Sequence, residues 1–174
     1  NHDNLSMAEI KSAIANTQVF SSSNKLDLIG FDACLMQTFE VGYEMSELAD
    51  VMVASQETEP GDGWDYQAFL SELADNPYAS NETLGRYIVE TYDAWYDSSS
   101  ETLSSVDLSS YQAIDDAITS FNNFAITAAG SDWLVIDDAF ESAWSSSAWD
   151  YGRHGDEYDL GQAFTYISEN AGNG

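Results

Sequence analysis

Positive charge is almost missing from this chain. Its 174 residues carry 4 Lys and Arg against 31 Asp and Glu, a formal net charge of −27 at pH 7. Nucleic-acid binding runs on clustered Lys and Arg that neutralise phosphates, and docking on an anionic membrane face needs the same cations. Both are excluded. Cysteine is as scarce: Cys34 is the only one, so it makes no disulfide within these residues, and what it does is the central question. The apolar runs, Leu28 to Phe31 and Val51 to Ala54, are far shorter than a bilayer requires, which argues against membrane insertion. No signal peptide is visible. The first residue is Asn1 rather than Met, and the expectation is that something upstream has been removed.

Apolar surface is not lacking. Hydrophobic residues make up 44% of the chain and aromatic ones 13%, with five Trp, so the acidity belongs to a folded protein and is no signature of disorder. Like charges repel and destabilise a compact state unless the medium screens them, so a salty habitat or an acidic extracellular setting suits this surface.

Helical and strand patterns alternate along the chain. Ser6-Met7-Ala8-Glu9 reads as a capping box, and Met7, Ile10 and Ile14 follow at helical spacing, predicting a helix from about Met7 to Asn16. Leu26 to Phe31 reads as a buried strand; the chain then passes through Asp32-Ala33-Cys34 into a helix carrying Leu35, Phe39, Tyr43 and Leu48, and Val51 to Ser55 is the next strand. This order predicts parallel pairing with right-handed crossovers. A turn-rich loop, Gln56 to Trp64, precedes helical patterns at Phe69, Leu70 and Leu73 and, after Pro77, at Leu84, Tyr87, Ile88, Thr91 and Trp95. Ser98 to Ser100 reads as a linker, Thr102 to Leu108 as a short strand, and Tyr111 to Ala129, Trp133 to Trp144 and Leu160 to Ile167 as helices. The chain divides on this reading into residues 1–100, bearing the Cys, and a mostly helical continuation over 101–174. Two or three short apolar strands cannot satisfy the backbone of a sheet covered on both faces. The expectation is therefore that a missing N-terminal segment or chain completes the sheet, and that the fragment alone aggregates or is molten.

Candidate chemistry centres on Cys34. A strand end that leads into a helix lies at the edge where open α/β sheets bind ligands, and a helix N-terminus favours the thiolate; a small buried core residue is the alternative. A cysteine nucleophile needs a His to take its proton. The two present, His2 and His154, are tied to Cys34 by nothing in the sequence and read equally as exposed surface residues. Asp156, Glu157 and Asp159, and Glu57, Glu59, Asp62 and Asp65, offer oxygens to calcium but lack EF-hand spacing, and a solvated acidic face is the competing reading.

The residues Asp27 to Met36, with Glu40 and Tyr43 on the following helix and then Val53 to Tyr66 with its Pro60-Gly61-Asp62-Gly63-Trp64 run, resemble the clostripain family of cysteine peptidases in the caspase-like clan. Leu84 to Tyr92, Thr102 to Leu108 and Tyr158 to Phe164 match later segments of that family. The resemblance implies a caspase-like α/β sandwich with helices on both faces of its sheet. It implies Cys34 as the nucleophile, with its backbone N–H helping to hold the oxyanion, and Asp32 as the S1 residue selecting Arg or Lys at the cleavage site; a helix N-cap is the other role open to Asp32. It also implies polypeptide substrates, calcium as a cofactor without assigned ligands, an extracellular or cell-surface location, and a catalytic His in an upstream His-Gly dipeptide that autoprocessing places on a light chain. His154-Gly155 is such a dipeptide but lies downstream of Cys34, and His2 is followed by Asp3. The expected function is a heavy-chain-like cysteine endopeptidase chain. The alternative is a catalytically inactive member serving as an acidic surface or binding module.

Overall fold

A computed structural model of the chain describes residues 5–17, 24–96, 102–127, 131–146 and 159–171. By its internal contacts the chain forms two compact units, residues 1–115 and 116–174.

The first unit is built on a three-stranded sheet. Helix α1 (Met7–Ala15) opens on the expected capping box: the Ser6 side chain accepts from the Glu9 N–H while the Glu9 carboxylate accepts from the Ser6 N–H at 2.8 Å. Strand β1 (Leu26–Gly30), helix α2 (Phe39–Met45) and strand β2 (Ala49–Ala54) follow, then helices α3 (Tyr66–Asp75) and α4 (Asn81–Tyr96), strand β3 (Ser104–Asp107) and a 3-10 turn at Leu108–Ser110. The strand order is β1-β2-β3. Strand β1 pairs parallel with β2, Leu28 opposite Val51 and Gly30 opposite Val53, as one crossover helix requires. Strand β3 pairs antiparallel with β2, Met52 opposite Val106. Two helices separate β2 from β3, and a chain that traverses the layer twice re-enters the sheet in the opposite direction. The sheet is therefore mixed, within the expected α/β class.

The successive residues Met52 and Val53 of β2 feed two cores. Met52 and Ala49 join Met45, Leu48 and Leu108, with Met7, Ile14 and Ile29 packed around them, so α1 and α2 cover one face. Val53 joins Trp64, Phe69, Ile88 and Tyr92, so α3 and α4 cover the other. Lys11 bridges α1 to Glu44 at 3.2 Å and Glu47 at 2.7 Å. These partly exposed pairs contribute little beside the apolar burial. Helix α4 lies close to the sheet at Gly85, which is buried.

Helix α5 (Tyr111–Thr127) begins in the first unit and continues into the second, which also holds α6 (Ser131–Ser146) and α7 (Leu160–Asn170). Ile136, Ala139 and Ile167 form the core of the second unit, with the rings of Phe121 and Phe164 edge to face at 5.2 Å. The expected linker at Ser98–Ser100 lies outside the described residues.

A Cβ at Gly85 would overlap the Ser105 hydroxyl and stand 3.0 Å from the Ser105 Cβ and 3.4 Å from a Val51 methyl. Gly85→Ala gains about 1 kcal/mol of helix propensity but overpacks this contact by about 1–3 kcal/mol. The hydroxyl can rotate away and the Cβ cannot, so overpacking wins. The expected outcome is a lower urea midpoint at unchanged slope; a raised midpoint contradicts the close approach.

Candidate active site

Parallel pairing puts the carboxyl ends of β1 and β2 at the same edge of the sheet, where open α/β sheets bind ligands. Beyond Gly30 the two chains stay joined: the Phe31 N–H donates to the Val53 carbonyl at 2.9 Å, Leu35 to Glu57 at 3.1 Å and Gln37 to Ser55 at 2.9 Å. The loop after β2 is braced from the other side by the buried Ser55, whose hydroxyl hydrogen-bonds Thr102 at 2.9 Å and accepts from the Glu57 N–H at 3.1 Å. Segment 31–37 is thus laid against a fixed loop.

Cys34 sits in the turn of that segment and is exposed. It does not lie at a helix N-terminus. Helix α2 begins only at Phe39, with Thr38 as its N-cap accepting from the Val41 N–H. The physical reason is Leu35, which holds a left-handed φ of 61° that no α-helix contains. For a branched non-glycine residue this is stored strain, of the kind that surrounding hydrogen bonds must hold in place. Activation of the thiol by a helix terminus is accordingly ruled out. In its place the backbone N–H of Glu59 donates to the Cys34 Sγ at 3.2 Å. The Glu59 carbonyl lies 3.9 Å from the same sulfur, so the Cys34 side chain is held against the Glu59 backbone.

Asp32 does not cap a helix either. Its Oδ2 accepts from the Trp64 N–H at 3.3 Å and from the Tyr66 hydroxyl at 3.0 Å. Gly63 makes this seat possible: it has a φ of +67°, and a Cβ there would stand 2.6 Å from Asp32 Oδ2. The Tyr96 hydroxyl donates to the Gly63 carbonyl at 2.6 Å and fixes the turn. Trp64 lies under the site, its ring against Gly30 and its Nε1 donating to Glu59 Oε2 at 3.1 Å. Burial, then a hydrogen bond and charge from Asp32, push the Glu59 carboxyl up to about 8. Tyr66 is raised as well, by burial first and then by Asp32.

Cys34 and Asp32 are therefore brought to one sheet edge, as their spacing in the sequence requires, with Glu59, Trp64 and Tyr66 added by the loop after β2. In the sequence Glu59 reads as part of a solvated acidic face, and its half-buried carboxyl beside Asp32 overturns that; the signal available was its place beside the Pro-Gly-Asp-Gly turn that delivers Trp64. Asp65 is used as the N-cap of α3, accepting from the Ala68 N–H at 2.9 Å. Among the described residues no group of three or more His, Cys, Asp or Glu gathers for a metal ion. His2, His154, Asp156 and Glu157 lie outside the described residues.

The sequence profile of the clostripain family matches residues 1–172. Among solved structures, a cysteine protease from B. fragilis superposes with a TM-score of 0.58 at 18% identity, covering 98% of this chain and 67% of that one. A clostripain from Bacteroides thetaiotaomicron in complex with the peptide inhibitor BTN-VLTK-AOMK gives a TM-score of 0.55 at 16% identity over 95% of this chain and 71% of that one. An inactive zymogen C11 protease from Parabacteroides distasonis gives 0.56 at 17% over 94% of this chain, which spans 44% of that one. No curated protein sequence matches. At these identities the structural likeness speaks for the fold.

The raised Glu59 makes stability depend on pH with a definite sign. The fold favours the protonated acid, so the stabilisation is fully present below the ordinary value of 4.5 and is lost as pH rises through about 8. Glu59→Gln keeps a donor towards Asp32 and an acceptor for Trp64 but cannot ionise. Between pH 5 and pH 9 the melting temperature of the native protein is expected to fall more steeply than that of the variant, as followed by calorimetry. Parallel curves contradict a protonated Glu59.

Proposed function

We propose that this chain, which belongs to the clostripain family, carries the nucleophile of a cysteine endopeptidase that cleaves after Arg or Lys. The observation that carries the reading is the exposed Cys34 at the sheet edge with a backbone N–H on its sulfur at 3.2 Å and a carboxylate two residues before it. The Cys34 thiolate attacks the scissile carbonyl, and its own backbone N–H helps to hold the oxyanion as the acyl-enzyme forms. A His on an upstream or partner chain takes the thiol proton and returns it to the leaving amine. Asp32, with exposed access and an orientation fixed by Trp64 and Tyr66, anchors the guanidinium or ammonium of the substrate. The K that ends the peptide of the inhibitor held by the Bacteroides thetaiotaomicron relative agrees with a basic side chain in that position. The enzyme acts outside the cell, where salt screens the repulsion of an acidic surface. Calcium is kept as a cofactor of the complete enzyme without assigned ligands.

Intact-mass analysis after treatment of the complete native protein with an arginyl or lysyl halomethyl ketone tests the nucleophile. One adduct at Cys34, absent from Cys34→Ala, is expected. An unmodified Cys34 in the folded protein reassigns the chain to an acidic binding or surface module. Replacing Asp32 by Asn is expected to lower kcat/KM for Arg and Lys substrates by roughly 30-fold or more, the loss of about 2 kcal/mol of charge pairing. Unchanged selectivity removes Asp32 from the pocket.

A further inference from the structure

The Glu59 side chain is a part of the site that the proposed chemistry leaves unused. Its Oε2 accepts from Trp64 Nε1, while its Oε1 is buried and has no donor among the ordinary partners around it. The group that closes on this carboxyl is another carboxylate, Asp32, which in turn already accepts from Trp64 N and the Tyr66 hydroxyl. Two carboxylates side by side on a turn pinned by Gly63 and Tyr96 cannot both be ionised without repulsion, and nothing cationic stands between them: among the described residues Lys11 is held by Glu44 and Glu47, Lys25 by the Ser46 carbonyl and Arg86 by Glu90. A shared proton removes the repulsion.

We propose that Glu59 is a specificity-determining residue acting through Asp32: a proton held between the two carboxyls keeps the empty subsite at one negative charge, and an arriving guanidinium or ammonium expels it, so that the cation meets two. The proposal rests on Asp32 being the basic-side-chain subsite. The balance is simple. The carboxylic O–H of Glu59 breaks, the electron pair stays on the carboxylate, and the proton leaves to solvent. The chemistry favours a cation over every other side chain twice, because a neutral or acidic side chain has no means of expelling the proton and meets a pocket already satisfied within itself. It also spares the empty protein a doubly charged pocket in a chain already at −27.

The other ionisable groups facing Glu59 are few. They are Asp32 from the β1–α2 turn, Tyr66 from the start of α3, Tyr96 from the end of α4 with Asp62 beside it, and the Cys34 thiol over the Glu59 amide. Both tyrosines are shifted upward from a value of 10.0, each by burial first, so they stay neutral through the range in which Glu59 titrates, and Asp32 is left as the acceptor of the shared proton. Glu59, raised to about 8, is protonated at neutral pH and has the proton to lose.

The test is proton release on binding, read by calorimetry of the complete native protein with Nα-acetyl-arginine methylamide, a ligand whose guanidinium does not titrate. Measured at pH 7 in buffers of different ionisation enthalpy, the native protein is expected to release about one proton per ligand bound, falling towards zero by pH 9. Glu59→Gln is expected to bind with no proton release at either pH. Binding by the native protein without proton release overturns the role of Glu59 and leaves the Asp32 subsite standing. Equal binding by Asp32→Asn, or no binding by the native protein, overturns the subsite itself. Because the decisive quantity is measured on the native protein, it stands even where Glu59→Gln fails to fold. An NMR titration of the native protein serves without a ligand: a Glu59 carboxyl that titrates near 4.5 instead of about 8 overturns the shared proton.

Discussion

The parallel pairing of β1 with β2 is the constraint on which the site depends. A single crossover helix between two strands forces both to run the same way, and their carboxyl ends then open onto one edge. Residues 25 apart in the chain, Cys34 and Glu59, meet there through hydrogen bonds that continue the ladder after the strands have ended. Had β1 and β2 formed a hairpin, Cys34 would lie beside the turn that joins them and the loop bearing Trp64 would fall at the opposite edge. Strand β3, returning antiparallel, adds no residue to that edge at its end but braces it at its start, where Thr102 holds Ser55.

Strain and closeness concentrate at the same place. Leu35 holds a left-handed backbone without being glycine, and Gly63 holds one because a side chain there would strike Asp32. The first keeps α2 from starting early and so leaves Cys34 on an exposed turn; the second lets the backbone come close enough for Trp64 N to reach the carboxylate. Each costs on the order of 1–2 kcal/mol or demands a residue with no side chain, and each is held by bonds from a neighbouring segment. No helix terminus adjoins the thiol; the sulfur lies against the amide and carbonyl of Glu59, and the place of Glu59 depends on the loop.

Much of this was legible in the sequence, and the parts that were not share a cause. The capping box at Ser6, the strands around Leu28 and Val51 and the long helices all follow from periodicity and caps, signals that act within one turn or one strand. The start of α2 did not, because a left-handed Leu35 is fixed by its bond to Glu57, twenty-two residues away, and leaves no trace in local pattern. The direction of β3 follows from counting helices, not from its own residues. Cys34 and Asp32 stood out by motif and position. Glu59 did not, since a carboxylate in a chain with 31 of them reads as surface until a tertiary contact buries it.

Glu59 touches both halves of the site with different atoms. Its amide donates to the Cys34 sulfur, and its carboxyl lies against Asp32 and accepts from Trp64. The two contacts are separated by a single Cα, and the carboxyl is tied to Trp64 Nε1 while the amide is tied to the sulfur. One residue thus borders both the Asp32 carboxylate and the thiol, and the acidity that dominates the chain is used here in the opposite sense from elsewhere. On the open surface carboxylates stay ionised and repel, a cost borne by salt. At the sheet edge one of them is kept neutral, because the half-buried Glu59 carboxyl beside Asp32, with no cation at hand among the described residues, is more stable holding a proton than adding a second charge.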